Sequence, residues 1–220
     1  MKIRYSNHVF IETVQSLCHE FEGDTNNTLL LVGAINDCMV YDYDEFTKGY
    51  DRVILFNQEP YSSTLVQNRL DKYIGWMSRA DEVWDYDESN MEFFNKHHVY
   101  PSLHVLKPYK QWDMYAPVNK DIDFLLYGTL SERRMNVVNF LREKYTVVTL
   151  DNLYGDELDS YILRSRNLLN IHVWSENYSI YQEQARMVRW LGAPCRIISE
   201  KSAHNYLGVP EMEYWELFLL

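Results

Sequence analysis

Three stretches of this chain place polar residues where they could do chemistry. In the first, DFLLYGTLSERR from Asp123 to Arg134, an apolar run ends at Gly128 and a helix start follows near Ser131 and Glu132. A glycine at a strand-to-helix turn lets a ligand approach the backbone, and the helix N-terminus offers free N–H groups and a positive dipole end. Arg133 and Arg134 add forked donors suited to phosphate. That is anion-binding chemistry. The competing reading is a plain βα loop with surface arginines, because neither the glycine-rich dinucleotide fingerprint nor the P-loop is present.

The second stretch, NLLNIHVW from Asn167 to Trp174, carries Asn170 and His172 to a strand's carboxyl end. Ligands of doubly wound sheets bind at that edge. The third begins at Tyr178 and sets Glu183 and Arg186 three residues apart, neighbours on a helix. A carboxylate near a helix start can accept hydrogen bonds from ribose hydroxyls, or it can simply pair with Arg186. After Gly192-Ala193-Pro194 the next strand ends at Glu200, Lys201 and Ser202. In the first half, Glu59 follows a strand in FNQEP and Asp37 follows another in GAIND. Each suits a general acid–base role. Glu59 is the first candidate, Asp37 the second, and turn capping the alternative for both.

These residues need a frame, and the apolar pattern supplies one. Short apolar runs alternate with helical stretches, the signature of βαβ units around parallel sheets. Strands are expected at Lys2–Tyr5, Leu29–Gly33, Val53–Asn57, Glu82–Tyr86 and Leu103–Leu106. Helices are expected at Val9–Phe21, Leu65–Arg79 and Ser89–Lys96, the last capped near Asp87. Residues 107–121 carry two prolines without periodicity and read as a linker. The alternation then restarts. Strands follow at Ile122–Tyr127, Thr146–Leu150, Asn167–Ile171 and Cys195–Ser199, with helices at Ser131–Lys144, Gly155–Leu163 and Tyr178–Leu191. The expected architecture is α/β: two Rossmann-like parallel-sheet domains, 1–110 and 118–205, facing a cleft, with 206–220 as a helix docking back.

Composition narrows the partners. A net charge of −11 argues against a surface that is basic everywhere. The imbalance is uneven, with 10 basic against 18 acidic residues over 1–117 and 11 against 14 over 118–220. One stretch departs from the acidic background. Asn95 to Trp112 holds three Lys, three His, three aromatics and no acidic residue. Lys107, Tyr109 and Lys110 within it suit a nucleic-acid contact, with Lys on phosphate and aromatics on bases. An ordinary connection with scattered lysines is the alternative. The 18 Tyr and 6 Trp could stack on sugars or bases, or could simply build half-buried strands. Cys18, Cys38 and Cys195 lack metal-ligand spacing and read as reduced thiols. No apolar run reaches the roughly 18 residues of a membrane helix. The expectation is a cytoplasmic protein with no membrane partner.

The order of segments resembles the donor-binding half of GT-B glycosyltransferases, closest to small virus-like members. The likeness rests on a strand ending in Gly128 before Arg133-Arg134, on LN-x-H through His172, on the QE-x-x-R pattern of Glu183 and Arg186, and on ISE-x-S through Ser202. In the first half, FNQEP at Phe56–Pro60 and ADEVWDYDESN at Ala80–Asn90 are similar to the family's strand ends. The chain departs from the family in its short N-terminal half. It departs also in the carboxylate upstream of Glu183, where Glu176 lies nearby at a different spacing.

The resemblance implies transfer of a sugar from a nucleotide-sugar, with a UDP-sugar the expected donor and no further cofactor. Gly128 and Thr129 would face the diphosphate, and Arg133 would neutralise it as it leaves. Glu183 would hold the ribose, while His172 and the Glu200–Ser202 loop would line the sugar pocket. Asp42-Tyr43-Asp44 and Asp85-Tyr86-Asp87 match the D-x-D string that holds a metal in the other main glycosyltransferase fold. GT-B enzymes generally use Arg and helix dipoles instead, so no metal is expected. The virus-like likeness makes a modified DNA base, such as hydroxymethylated cytosine in phage DNA, one candidate acceptor. Small-molecule, glycan and protein acceptors stay open. A non-catalytic nucleotide-sugar-binding module of the same fold is the alternative function, and a nicotinamide dehydrogenase ranks third.

Overall fold

In a computed structural model the chain is described at residues 2–5, 10–21, 27–61, 64–173 and 181–220. It divides into two compact units, Met1–Lys107 and Pro108–Leu220. Each is an α/β unit built on a five-stranded, all-parallel sheet.

The first sheet holds β1 (Lys2–Tyr5), β2 (Thr28–Val32), β3 (Arg52–Asn57), β4 (Glu82–Asp85) and β5 (Ser102–Leu103), paired in chain order. The buried runs of β2 and β3 are apolar on both faces, as a parallel sheet covered on each side requires. Leu29, Leu31, Val53 and Leu55 form one core with residues of α2 (Asp37–Val40), α3 (Tyr43–Thr47), α4 (Thr64–Gln67), α5 (Leu70–Met77) and α6 (Glu88–Asn95). A seven-residue helix, α1 (Ile11–Leu17), precedes β2 and runs into a 3₁₀ turn at Cys18–Phe21. Phe21 stacks on Trp84, which stacks in turn on His104.

The second sheet holds β6 (Ile122–Tyr127), β7 (Val147–Leu150), β8 (Ser165–Asn170), β9 (Arg196–Glu200) and β10 (Glu211–Met212). Its order is β10-β9-β8-β6-β7, so the chain steps from β6 to β7 on one side and then crosses back to β8 on the other. Open parallel sheets bind ligands outside the carboxyl ends of the strands where the order reverses, which in this sheet is at β6 and β8. The first sheet runs in sequence order and has no such reversal. Helices α7 (Glu132–Arg142), α8 (Gly155–Arg164) and α9 (Gln184–Met187) complete the unit. Two apolar clusters serve the two faces of this sheet. One is centred on Leu125, Leu168, Ile162 and Trp190, the other on Leu126, Leu169, Val138 and Leu217.

Several expected elements take a different form. The 65–79 pattern splits into α4 and α5 around residues 68–69, and the fifth strand forms at Ser102–Leu103, overlapping the expected Leu103–Leu106 run only at Leu103. Residues 108–121 are more than a linker. Trp112 is buried in the core of the second unit and its indole N–H donates to the Arg189 carbonyl at 2.9 Å. Of the expected helix 178–191 only Gln184–Met187 is α-helical, while residues 178–180 lie outside the described residues, as do Val9 and Glu176. The segment 206–220 forms β10 and a 3₁₀ turn at Tyr214–Leu219 rather than an α-helix. A capping box between Glu213 and Glu216 starts that turn, and Leu217 anchors it in the core beside α7. Helices α2 and α3 were not legible in the apolar pattern. Each spans little more than one turn, too short to show a period of 3.6 residues.

Candidate functional site

The reversal in the second sheet gathers residues from all three expected stretches. Strand β6 delivers Gly128, which adopts φ +112°, a left-handed value that favours glycine. A side chain there would also collide with Arg186, since a Cβ would stand 2.9 Å from its Nη2. The backbone therefore passes directly beneath a guanidinium. Ser131 caps α7 by accepting from Arg134 N at 3.3 Å, so the first-turn amides open at the same strand end. Thr129 is exposed beside them, its carbonyl accepting from Arg134 Nη1 at 2.7 Å.

Strand β8 delivers Asn170 and, just beyond it, His172. Asn170 Oδ1 accepts from Arg186 Nη1 at 3.2 Å, and its Nδ2 donates to Ser199 Oγ on β9 at 3.0 Å. His172 is buried. Its backbone N–H donates to Glu200 Oε2 at 2.9 Å, and its Nε2 lies 3.1 Å from the Lys201 carbonyl. Nδ1 of the same ring is buried without a hydrogen-bond partner among the described residues.

Glu183 stands at the N-cap position of α9, and its carboxylate sits between two guanidiniums. Arg134 Nη2 donates to its oxygens at 2.9 and 3.2 Å, and Arg186 Nη2 lies 2.6 Å from Oε2. Burial pushes the Glu183 carboxyl up, but Arg186 and Arg134 beside it outweigh that and hold it below the ordinary carboxylate value. Arg134 is fully buried, with Nε on the Ile171 carbonyl at 2.6 Å. Burial lowers it to about 10 despite the Glu183 charge.

Arg133 is placed differently from what its sequence suggests. Its guanidinium grips Glu200 with both Nη atoms, one at 2.6 Å from Oε2, and donates to the His172 carbonyl at 3.2 Å. Its Cζ also lies over the Tyr214 ring, 3.6 Å from the centroid, while Tyr214 Oη donates to the Arg133 carbonyl at 2.9 Å. Of the adjacent loop, Lys201 is exposed and pairs with Glu213 at 2.8 Å. Ser202 bonds the His204 carbonyl at 3.2 Å and the Glu211 carboxylate. No family model and no curated protein matches this chain.

The first unit holds the two acid–base candidates. Asn57 and Asp85 end β3 and β4 in register and form a buried polar knot. Asn57 Nδ2 donates to Asp85 Oδ2 at 2.8 Å and to the Glu59 carbonyl at 2.9 Å, and Tyr73 Oη donates to Asn57 Oδ1 at 2.9 Å. Asn90 Nδ2 donates to Asp85 Oδ1 at 3.0 Å, and Asn90 Oδ1 accepts from Tyr61 N at 2.8 Å. This knot fixes the turn that carries Glu59. Burial pushes the Glu59 carboxyl up to about 7, against the pull of Arg69, and burial likewise raises Asp85 to about 7 against the hydrogen bonds from Asn57 and Asn90. Asp37 opens α2, half-buried, and burial raises it while Arg4 opposes the shift.

The remaining candidates have identifiable structural partners. Lys107 exchanges two backbone hydrogen bonds with Ser16 Oγ, at 2.7 and 2.8 Å. Lys110 pairs at 2.5 Å with Asp159, a buried carboxylate that also holds Arg189 at 2.7 Å, and Arg189 donates to Tyr109 Oη at 3.2 Å. The first D-x-D string supplies an exposed helix cap and the second a cap and a buried acceptor. Asp42 accepts from the amides of Asp44 and Glu45, and Asp87 from the amide of Ser89. Among the described residues no group of three His, Cys, Asp or Glu could hold a metal ion. Sequence reasoning missed Tyr214, whose stacking on Arg133 has no local signal. It also underweighted Arg134, because adjacent arginines on a helix give no sign of which one is buried.

Proposed function

We propose that this chain is a GT-B-like glycosyltransferase that binds a nucleotide-sugar, with a UDP-sugar as the expected donor, at the carboxyl edge of the second sheet. The observation that carries this reading is the close approach of Gly128 to Arg186 at the mouth of α7, where the strand order reverses. A diphosphate laid on that backbone would meet first-turn amides and a guanidinium together, the arrangement that favours phosphate. Glu183, kept ionised by its two arginines, can accept from ribose hydroxyls. His172 and the Glu200–Ser202 loop would bound the sugar, with Glu200 orienting Arg133. Glu59 is the proposed base for the acceptor hydroxyl and Asp37 the second choice. A DNA base is one acceptor class, with Lys107 as the exposed candidate contact.

A thermal-shift titration with UDP, GDP and their sugars tests the reading. Ligand at about a hundred times its Kd adds about 2.7 kcal/mol to the native state, a shift of several degrees for a unit this size. Indifference to every nucleotide sinks it. The second reading, a non-catalytic nucleotide-sugar-binding module, draws on Arg133, whose guanidinium is already occupied by Glu200 and Tyr214. Release of free nucleoside diphosphate on incubation with candidate acceptors favours the enzyme, and tight binding without release favours the module.

A further inference from the structure

The amino edge of the second sheet, at the opposite end of the strands from the site above, carries its own charge and its own cavity. Lys120, Arg142, Lys144, Arg164, Arg166 and Arg196 all lie on the segments that enter β6 to β9, against Asp121, Asp123 and Glu143. This edge is net positive in a chain whose net charge is −11.

Within it lies an open cavity of about 310 Å³. The register explains its lining. Phe124 on β6 pairs with Asn167 on β8, and Asn167 with Arg196 on β9, so these three side chains leave one face of the sheet together with Ile198 two residues on. Phe124 and Ile198 form an apolar floor, and Tyr145 and Leu220 close the sides, with Tyr145 Oη donating to the Leu220 carbonyl at 2.8 Å.

The cations at the rim differ. Arg164 is neutralised by Asp121 at 2.5 Å, and Arg166 shares Asp123 at 3.1 Å. Lys120 spends its ammonium on the carbonyls of Ser165 and Pro194. Arg196 is exposed, and its guanidinium makes no hydrogen bond or ion pair to any described residue. A forked donor set left open above an apolar floor fits an anion attached to a ring or short hydrocarbon.

We propose that this amino-edge cavity is a second binding site, taking a phosphate ester whose charged group meets Arg196 and Arg166 and whose apolar body lies on Phe124 and Ile198. The site stands apart from the proposed donor site by the length of a strand, about 20 Å. It does not depend on the glycosyltransferase reading.

The test is calorimetric titration of the full chain at low salt with three probes: inorganic phosphate, phenyl phosphate and a twelve-residue single strand of thymidylate. Phenyl phosphate also fits the anion subsite proposed at Gly128 and α7, so the Arg196→Gln and Arg186→Gln variants decide which of the two sites takes it. The expected result is that phenyl phosphate binds more tightly than inorganic phosphate, and that Arg196→Gln weakens it about tenfold with an unchanged melting temperature, because that guanidinium supports nothing else. Arg166→Gln should weaken it as well, and Arg186→Gln should leave it as it was. Strand binding no tighter than phenyl phosphate assigns the site to a free ester. Strand binding that is tighter, and lost in Arg196→Gln, assigns the same phosphate chemistry to a nucleic-acid backbone. Failure of all three probes to bind, or wild-type affinity in Arg196→Gln, overturns the proposal.

Discussion

At the scale of single residues, Glu59 and Gly128 make the sharpest claims. Glu59 holds its proton more tightly folded than unfolded, because burial raises it to about 7. The folded state is therefore favoured most below about pH 4.5, and that advantage is lost as pH rises towards 7. Glutamine cannot ionise. The melting temperature of Glu59→Gln should accordingly exceed that of the wild type at pH 8 by more than it does at pH 5. If Glu59 is also the base, transfer should rise with a midpoint near pH 7 and disappear in the same variant. Gly128→Ala asks a different question. The new Cβ would sit in a left-handed conformation and press on Arg186, at a cost of about 1–3 kcal/mol in urea denaturation. It should also weaken nucleotide binding by displacing the guanidinium, and a variant that binds as well as wild type would remove Gly128 from the site.

At the scale of elements, the ends of strands matter more than their middles. The Asn57–Asp85–Asn90 knot ties β3, β4 and α6 to the turn bearing Glu59. Asp85 accepts from Asn57, Asn90 and the amide of Asp87, so both of its oxygens face donors. Asp85→Asn turns one acceptor into a donor against a donor, and should cost about 1–3 kcal/mol while loosening the Glu59 turn. Equal midpoints and slopes for variant and wild type in denaturant would show that the knot carries no stability. The central strands of both sheets were legible as apolar runs, because strands buried on both faces have little room for polar residues, whereas the two-residue edge strands β5 and β10 were not. The shorter helices were not. Asp42 caps α3 through two backbone amides, yet the same residue reads equally well as half of a metal motif until its partners are known.

At the scale of the whole molecule, two units each own a sheet and a core. Residues 108–121, which look like a linker, contribute Trp112 to the second core and Lys110 to the buried Asp159 pair. A fragment of residues 108–220 should therefore fold cooperatively, whereas one starting at 122 should lose the Trp112 anchor and melt at lower temperature. Circular dichroism on the two fragments checks this, and equal melting temperatures would return 108–121 to the status of linker. Among the described residues no helix is long and apolar enough to cross a membrane.

The sequence by itself determined the α/β class, the alternation of elements in both halves and the gathering of polar residues at strand ends, because burial on two faces and turn chemistry are written locally. Only the tertiary structure decided which sheet reverses its strand order, which of two adjacent arginines is buried, and that Arg133 is held by Glu200 and Tyr214. The strand order rests on distant pairings such as Phe124 with Asn167, and the two arginine outcomes on contacts such as Arg134 with Glu183 and Tyr214 with Arg133, 49 and 81 positions apart. No local pattern of charge or hydropathy records which distant partner a side chain will meet once the strands have paired.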